Sequence, residues 1–327
     1  MGLPIIAGCD TARDRNKIQG MTTTAKMTEN GAQLFARLEG RRSLRDIEPH
    51  IFPDGAGPIQ GDVVEFHGTE GSGKTETMYH LVTHCILPAD RGGLEVEVMY
   101  VDTDYHFDML RLVTVLEQRL GEDAKGEDSG AVVEPEERVR ACLGRLFVVH
   151  CSSSVQLLLT LHYLENTFCS RPALCLLVID SISAFYWVDR SGGGESVAKQ
   201  EANLRKCSEL LDRLLRDYRI VVFATTHAIM RNYGHSAQAD VAAMTPGLSE
   251  PSSSSSSWRQ WSSHASNFDK AYLSRAWQRL VTHRVLFSKG EVTKDRKQVF
   301  SAACTTTSTR GTKCSSFYVM GGGVQFL

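Results

Sequence analysis

Gly68-Thr69-Glu70-Gly71-Ser72-Gly73-Lys74-Thr75 is the stretch on which the reading of this chain turns. It fits G-x-x-x-x-G-K-[ST]. In that pattern glycines let successive backbone N–H groups face inward around phosphate oxygens, and the following helix adds its N-terminal dipole. Lys74 is placed to reach the β- and γ-phosphates, and Thr75 to offer its hydroxyl to Mg2+. A glycine-rich turn that only joined a strand to a helix would not need Lys and Thr after its last glycine. The flanks agree: Asp62–His67 reads as a short apolar strand and Gly73–Ile86 as a helix.

Outward from this loop, strand and helix patterns alternate. Strands are expected at Val96–Val101, Arg145–His150, Leu174–Ile179 and Ile220–Ala224, and helices at Phe107–Leu120, Val155–Phe168 and Glu195–Asp217. Leu174–Ile179 is an almost unbroken apolar run, as strands covered on both faces are. The expected class is α/β, a mostly parallel sheet flanked by helices. After it come Val281–Ser288, Lys297–Ala303, Ser315–Met320 and Val324–Phe326, short strands in succession that predict antiparallel additions at the C-terminal end. One core domain over residues 31–327 is expected, behind a flexible tail of residues 1–30 in which Met21 and Met27 offer alternative starts. Within the core, residues 121–137 read as an acidic surface loop and residues 233–267, with the serine run Ser252–Ser257, as a flexible insertion.

Composition removes several classes. The 327 residues are 42% hydrophobic and 23% charged, ample for a core. No apolar run approaches the roughly 20 residues of a membrane-spanning helix, and Met1–Gln19 has no secretory h-region. With 36 basic and 38 acidic side chains the net charge is −2, which argues against a bulk electrostatic grip on nucleic acid. The 9 cysteines are scattered without a C-x-x-C pair, and read as reduced thiols of a cytosolic or nuclear protein. His80, His84 and Cys85 lie close together but lack the H-E-x-x-H arrangement, so packed or solvent-facing side chains are expected rather than a metal site. A phosphotransferase would show an acceptor pocket and a lid, and the sequence has no sign of either.

A second motif supports the first. Leu174-Cys175-Leu176-Leu177-Val178-Ile179-Asp180 is an apolar strand ending in a carboxylate, the usual form of a Walker B segment, which would place Asp180 at Mg2+. The alternative is an Asp that only caps the next turn. With this loop, Val98–Asp104, Leu174–Ser181, Asp189–Glu195 with its long following helix, and Val221–His227, the chain resembles the RecA-type recombinases. The wording around Ala36–Pro49, Glu95–Leu112 and Ser181–Val188 is similar to a recombinase paralogue of homologous-recombination repair. The resemblance runs from about Gln33 to Phe326. It implies a RecA-like core that binds ATP and Mg2+ and acts in the nucleus, in a heteromeric complex with another paralogue.

Residue by residue, the resemblance also carries departures. The family's catalytic Glu, which orients the attacking water, falls at Asp104, whose carboxylate is about 1.5 Å shorter in reach. A misplacement near 1 Å can cost about 100-fold in rate, so ATP binding with slow or no hydrolysis is expected. The competing reading has Asp104 capping the helix that begins near His106. His227 stands where the family commonly has a Gln phosphate sensor, with Thr225 and Thr226 beside it. The family's DNA-facing loops map to Asp189–Ser196 and to the region after His227. The first has Gly193 in place of an Arg but keeps Arg190 and Lys199 nearby. The second contains Arg231, Trp258, Arg259, Trp261 and His264, a mixture suited to single-stranded DNA, or else an insertion with incidental aromatics.

The Phe-x-x-Ala contact of filament polymerisation is missing from the N-terminal region; Phe268–Ala271 and Phe300–Ala303 spell it in other places. The expectation is a terminal subunit without self-polymerisation. Two functions compete. One is a nucleotide-binding subunit that completes a paralogue complex and supports recombinase filament assembly. The other is an autonomous DNA-stimulated ATPase or strand-exchange motor using Lys74, Thr75, Asp180 and Asp104.

Overall fold

Strand β1 (Val63–Gly68) is buried at every position and sits inside the sheet, parallel both to β5 (Val221–His227) and to β6 (His283–Val292). A computed structural model describes residues 30–39, 41–53, 55, 57–123, 134–192, 194, 196–228, 273–293, 295–307 and 312–327. Its sheet has nine strands in the order β3-β2-β4-β5-β1-β6-β7-β8-β9. Here β2 is Glu97–Asp102, β3 Leu146–His150, β4 Leu174–Asp180, β7 Gln298–Thr306, β8 Thr312–Met320 and β9 Gly323–Phe326. Strands β1 to β6 pair in parallel, and β6 to β9 form an antiparallel run. The α/β sheet read from the sequence is present, with one correction. β6 was expected as an antiparallel addition, but it lies parallel to β1, and its separation from β5 in the sequence is ample for the crossover that a parallel pairing requires.

The chain forms two compact units, Met1–Ala36 and Arg37–Leu327. In the described residues, the first unit holds the beginning of helix α1 (Gly31–Glu39). The second carries two cores, one on each face of the sheet. One is packed by α2 (Lys74–Ile86), α3 (Met109–Asp123) and α4 (Pro135–Leu143), the other by α5 (Ser154–Ser170), α8 (Ala202–Tyr218) and α9 (Arg275–Leu280). Short helices α6 (Tyr186–Gly192) and α7 (Val197–Gln200) lie between. In α8, Cys207, Leu210, Leu211, Leu214 and Leu215 recur at helical spacing and are all buried. The single helix expected over Glu195–Asp217 is broken at Glu201, which caps α8. The acidic stretch is also corrected at both ends. α3 continues through Asp123, and Pro135 starts α4 with Glu136 and Glu137 in its first turn, where a carboxylate complements the helix dipole. The rest of that stretch, the tail before Asn30, Gly193, Arg231 and the serine-rich segment with Trp258, Arg259, Trp261 and His264 lie outside the described residues.

The antiparallel end of the sheet reaches back to the glycine-rich loop through aromatic contacts. Phe66 of β1 meets Phe223 at 5.4 Å and Phe287 at 5.7 Å, and Phe287 meets Phe317 at 6.2 Å. Phe317 stacks on Phe300 at 5.5 Å, so the Phe300–Ala303 spelling is part of β7 rather than a free peptide. Gly73 lies directly under this pair: a Cβ built there would stand 3.1 Å from the Phe317 ring. Its φ of 94° is a second reason for glycine, since L side chains rarely adopt that conformation. Replacing the fully buried Phe317 with Ala is expected to lower stability by about 3–5 kcal/mol, the usual cost of deleting a buried ring. Urea unfolding measures it, and a loss below about 1 kcal/mol would mean that the ring is not part of the core.

Candidate functional site

The carboxyl ends of β1, β4 and β5 and the turn after β2 open onto one cavity of about 260 Å³. Ligands of open α/β sheets bind at such strand ends. Its floor is the loop from Glu70 to Glu76. Lys74 Nζ donates to Gly68 O at 2.9 Å and to Thr69 O at 2.8 Å, and the Ser72 hydroxyl donates to Thr69 O at 2.7 Å. Gly68 is needed for space: a Cβ there would meet Phe287 O at 2.6 Å. Burial brings the Lys74 pKa down to about 8, against the opposing charges of Asp180, Glu70 and Asp104. Thr75 lines the same cavity one residue on.

Asp180, at the end of β4, faces Lys74 across the cavity. Its Oδ2 accepts from Tyr100 OH at 2.7 Å and its Oδ1 accepts from the Thr225 hydroxyl. Burial, with Asp180 and Asp102 nearby, pushes the Tyr100 phenol well above its ordinary value, so it remains a donor. Each Asp180 oxygen keeps a further lone pair for a cation. Asp180 does not serve as a simple turn cap. Ser181 N instead donates to Thr103 Oγ1 at 2.6 Å, tying β4 to the turn after β2.

That turn separates two aspartates that look equivalent in sequence. Asp102 is buried and accepts from His106 N at 3.3 Å and Phe107 N at 3.1 Å. It is therefore Asp102, not Asp104, that caps this turn, and the capping alternative for Asp104 is corrected. Asp108 opens α3 in turn, accepting from Arg111 N at 3.0 Å. Asp104 lines the cavity, and its carboxylate shows no hydrogen bond to any described residue. Burial raises its pKa, with Asp180 adding to the effect and His227 opposing it. Between the cavity residues Asp104 and His106 stands Tyr105, at φ 56°. A left-handed conformation costs a bulky residue about 1–3 kcal/mol, and such outliers cluster at functional sites.

His227, at the end of β5, reaches the cavity with Nδ1 3.3 Å from the Ser183 hydroxyl and 3.4 Å from that of Ser181. Next to it, Ala228 N donates to Gly68 O at 3.0 Å, linking the two strand ends. Arg190 and Lys199 are placed elsewhere. They are exposed on α6 and α7 and line no part of the cavity, and Arg190 donates to Tyr186 OH at 2.6 Å. His80 and His84 are packed. His80 Nε2 lies 2.5 Å from the buried Glu48 carboxylate, and His84 Nδ1 lies 2.6 Å from Ile47 O. No cluster of metal-ligating side chains occurs among the described residues.

Sequence reasoning missed Glu76, His106, Phe300 and Val319 in the cavity wall and Tyr100 behind Asp180, and it placed Thr225 beside His227 without showing that its hydroxyl donates to Asp180. Tyr100 alone carried a signal, as a hydroxyl in an otherwise apolar buried strand. Tyr100→Phe removes the donor to Asp180 and is expected to cost about 1.5–3 kcal/mol, the range for a hydrogen bond to a charged group. Thermal or urea unfolding reads the change, and an unchanged stability would show that Asp180 does not depend on this hydroxyl.

The Rad51 family model covers residues 55–247, from before β1 to beyond β5. The chain is 48% identical to the DNA repair protein XRCC2 of Mus musculus, over 94% of this chain and 100% of that protein. It is 25% identical to an XRCC2 homolog of Arabidopsis thaliana, over 80% of this chain and 77% of that one. It is also 28% identical to the DNA repair protein RAD51 of Mycosarcoma maydis, over 67% of this chain and 57% of that one. With the glycine-rich loop, the Asp180 strand end and the parallel strands β1 to β5 all inside the matched region, the chain belongs to the Rad51 family.

Proposed function

We propose that this chain is a nuclear, nucleotide-binding recombinase paralogue that acts in homologous-recombination repair of DNA. It would join another paralogue in a heteromeric complex that supports recombinase filament assembly. The observation that carries the reading is the convergence of Lys74, Thr75, Asp180 and Asp104, from three separate elements, on one cavity, in a chain so similar to a DNA repair protein.

ATP with Mg2+ fits the groups present. Lys74 and the inward N–H groups of the loop would hold the phosphates, and the Thr75 hydroxyl and Asp180 carboxylate are hard oxygen donors suited to Mg2+. The metal would supply charge neutralisation there. The charges give an independent reason for it. Lys74 faces Asp180, Glu70 and Asp104, so the local balance is negative and disfavours a bare polyphosphate. The chain's own task is to bind and orient. Asp104 lines the cavity without a hydrogen bond to any described residue and could accept a proton from water, but its reach is short. Slow hydrolysis follows. With a net charge of −2, contact with DNA would come through local groups such as Arg190 and Lys199, or through partners.

Calorimetry tests the reading. Mg-ATP should bind the wild-type chain and fail to bind Lys74→Ala, and chelation of Mg2+ should abolish binding. Equal affinity in the variant would overturn the assignment. Lys74 is charged below its pKa of about 8 and loses that charge as pH rises through it. Affinity should therefore fall above about pH 8, with a proton taken up on binding near that pH, visible as a heat that depends on the buffer.

The second reading, an autonomous motor, is favoured by the Asp104 carboxylate, which lines the cavity without a hydrogen bond to any described residue. Steady-state turnover by the isolated chain that is lost in Lys74→Ala would support it. Under the first reading turnover is slow, and Asp104→Glu raises it by up to about 100-fold by restoring the reach. Light scattering after size exclusion checks the assembly. A long homopolymer of the purified chain would contradict a terminal subunit.

A further inference from the structure

The cavity wall formed by Thr103–Asp108 is fixed from several sides. Thr103 N donates to Asp180 O at 2.8 Å, and Asp108 N donates to Tyr79 OH at 2.7 Å. The Phe107 ring lies 4.7 Å from Tyr100 and 5.7 Å from Tyr79. Asp104 and His106 line the cavity, while Tyr105 between them is 60% exposed. Yet Tyr105 is not loose. Its ring stacks on His150, at the end of edge strand β3, with centroids 5.2 Å apart and planes within 12°. His150 Nδ1 lies 3.1 Å from Asp102 Oδ2, on the carboxylate that also accepts the His106 and Phe107 amides. The contacts close a ring: Tyr105 to His150, His150 to Asp102, Asp102 to the amide of His106, and His106 back along the chain to Tyr105, with Asp104 bonded directly to it.

We infer that the Tyr105–His150 stack is a positioning device that holds Asp104 and His106 at the nucleotide cavity from the protein surface. A surface-exposed aromatic gains little by burial, and a left-handed Tyr is unfavourable in itself, so a purely local preference accounts for neither feature. Together they make sense if the stack fixes the path of the backbone between two inward-facing residues. The device deepens the proposed function, since the site it positions is the nucleotide cavity.

The test has two arms on the full chain. The first is amide hydrogen exchange and needs no nucleotide. Tyr105→Ala and His150→Ala should speed exchange at His106 and Phe107 about tenfold or more while leaving global unfolding unchanged, because local opening is separable from it. Tyr105→Phe keeps the stack and should behave as wild type. The second arm is a double-mutant cycle between Tyr105→Ala and Asp104→Asn, read as Mg-ATP affinity. If Tyr105 acts through Asp104, the two effects are non-additive, and Tyr105→Ala changes affinity little once Asp104 is Asn. Wild-type exchange in both alanine variants, or effects that multiply independently, would overturn the inference. If the wild-type chain binds no nucleotide, the functional proposal falls, and the exchange arm alone decides for or against the positioning device.

Discussion

An ammonium that is largely removed from water must be held by something, and much of the structure follows from how Lys74 is held. Its Nζ is bound by two carbonyls of the loop that precedes it, and the carboxylates of Asp180, Glu70 and Asp104 act on its charge. Desolvating a charge without such partners would cost several kcal/mol. The loop can present its carbonyls only if Gly68 leaves room for Phe287 and Gly73 takes a left-handed turn under Phe317. The lysine, the glycines and the aromatic packing of the antiparallel strands therefore form one unit, and a change in any of them is felt by the others.

The acidic side of the cavity is organised with the same economy. Asp102, Asp104 and Asp180 lie close together, yet each has a different environment. Asp102 is occupied by two amides and His150, Asp180 by the hydroxyls of Tyr100 and Thr225, and Asp104 faces the cavity without a hydrogen bond to any described residue. Carboxylates in one site acquire distinct roles when their partners differ. Here one shapes the turn, one is held by two hydroxyls and one faces the cavity, which under the proposed function would leave Asp180 for the cation and Asp104 for water. The aspartate that would be left for water is also the one whose reach is shorter than that of the Glu the resemblance leads one to expect.

The local part of this arrangement was legible in the sequence. The glycine-rich loop, the strand before it, the helix after it and the Asp180 strand end are all specified within a few residues, and the structure places them as read. What escaped the sequence depends on partners far apart in the chain. The parallel pairing of β6 with β1 joins residues such as Val64 and His283, and no local pattern distinguishes it from a hairpin strand. Asp102 and Asp104 are two residues apart with the same chemistry, and only the path of the turn decides which one receives the amides. Phe300 and Val319 enter the cavity because antiparallel strands near the end of the chain fold back over the loop. The Tyr100 hydroxyl stands out in its strand, but the role of that hydroxyl does not, because its hydrogen-bond acceptor comes from β4.

The most direct measurement is a structure of the chain determined with Mg2+ and a non-hydrolysable ATP analogue, alone or with a paralogue partner. The expected result has Lys74 Nζ turned from the carbonyls of Gly68 and Thr69 to the phosphates, with the metal between the Thr75 hydroxyl and the Asp180 carboxylate. Lys74 still bound to those carbonyls at saturating nucleotide, or phosphates held away from the loop, would contradict the assignment of this cavity.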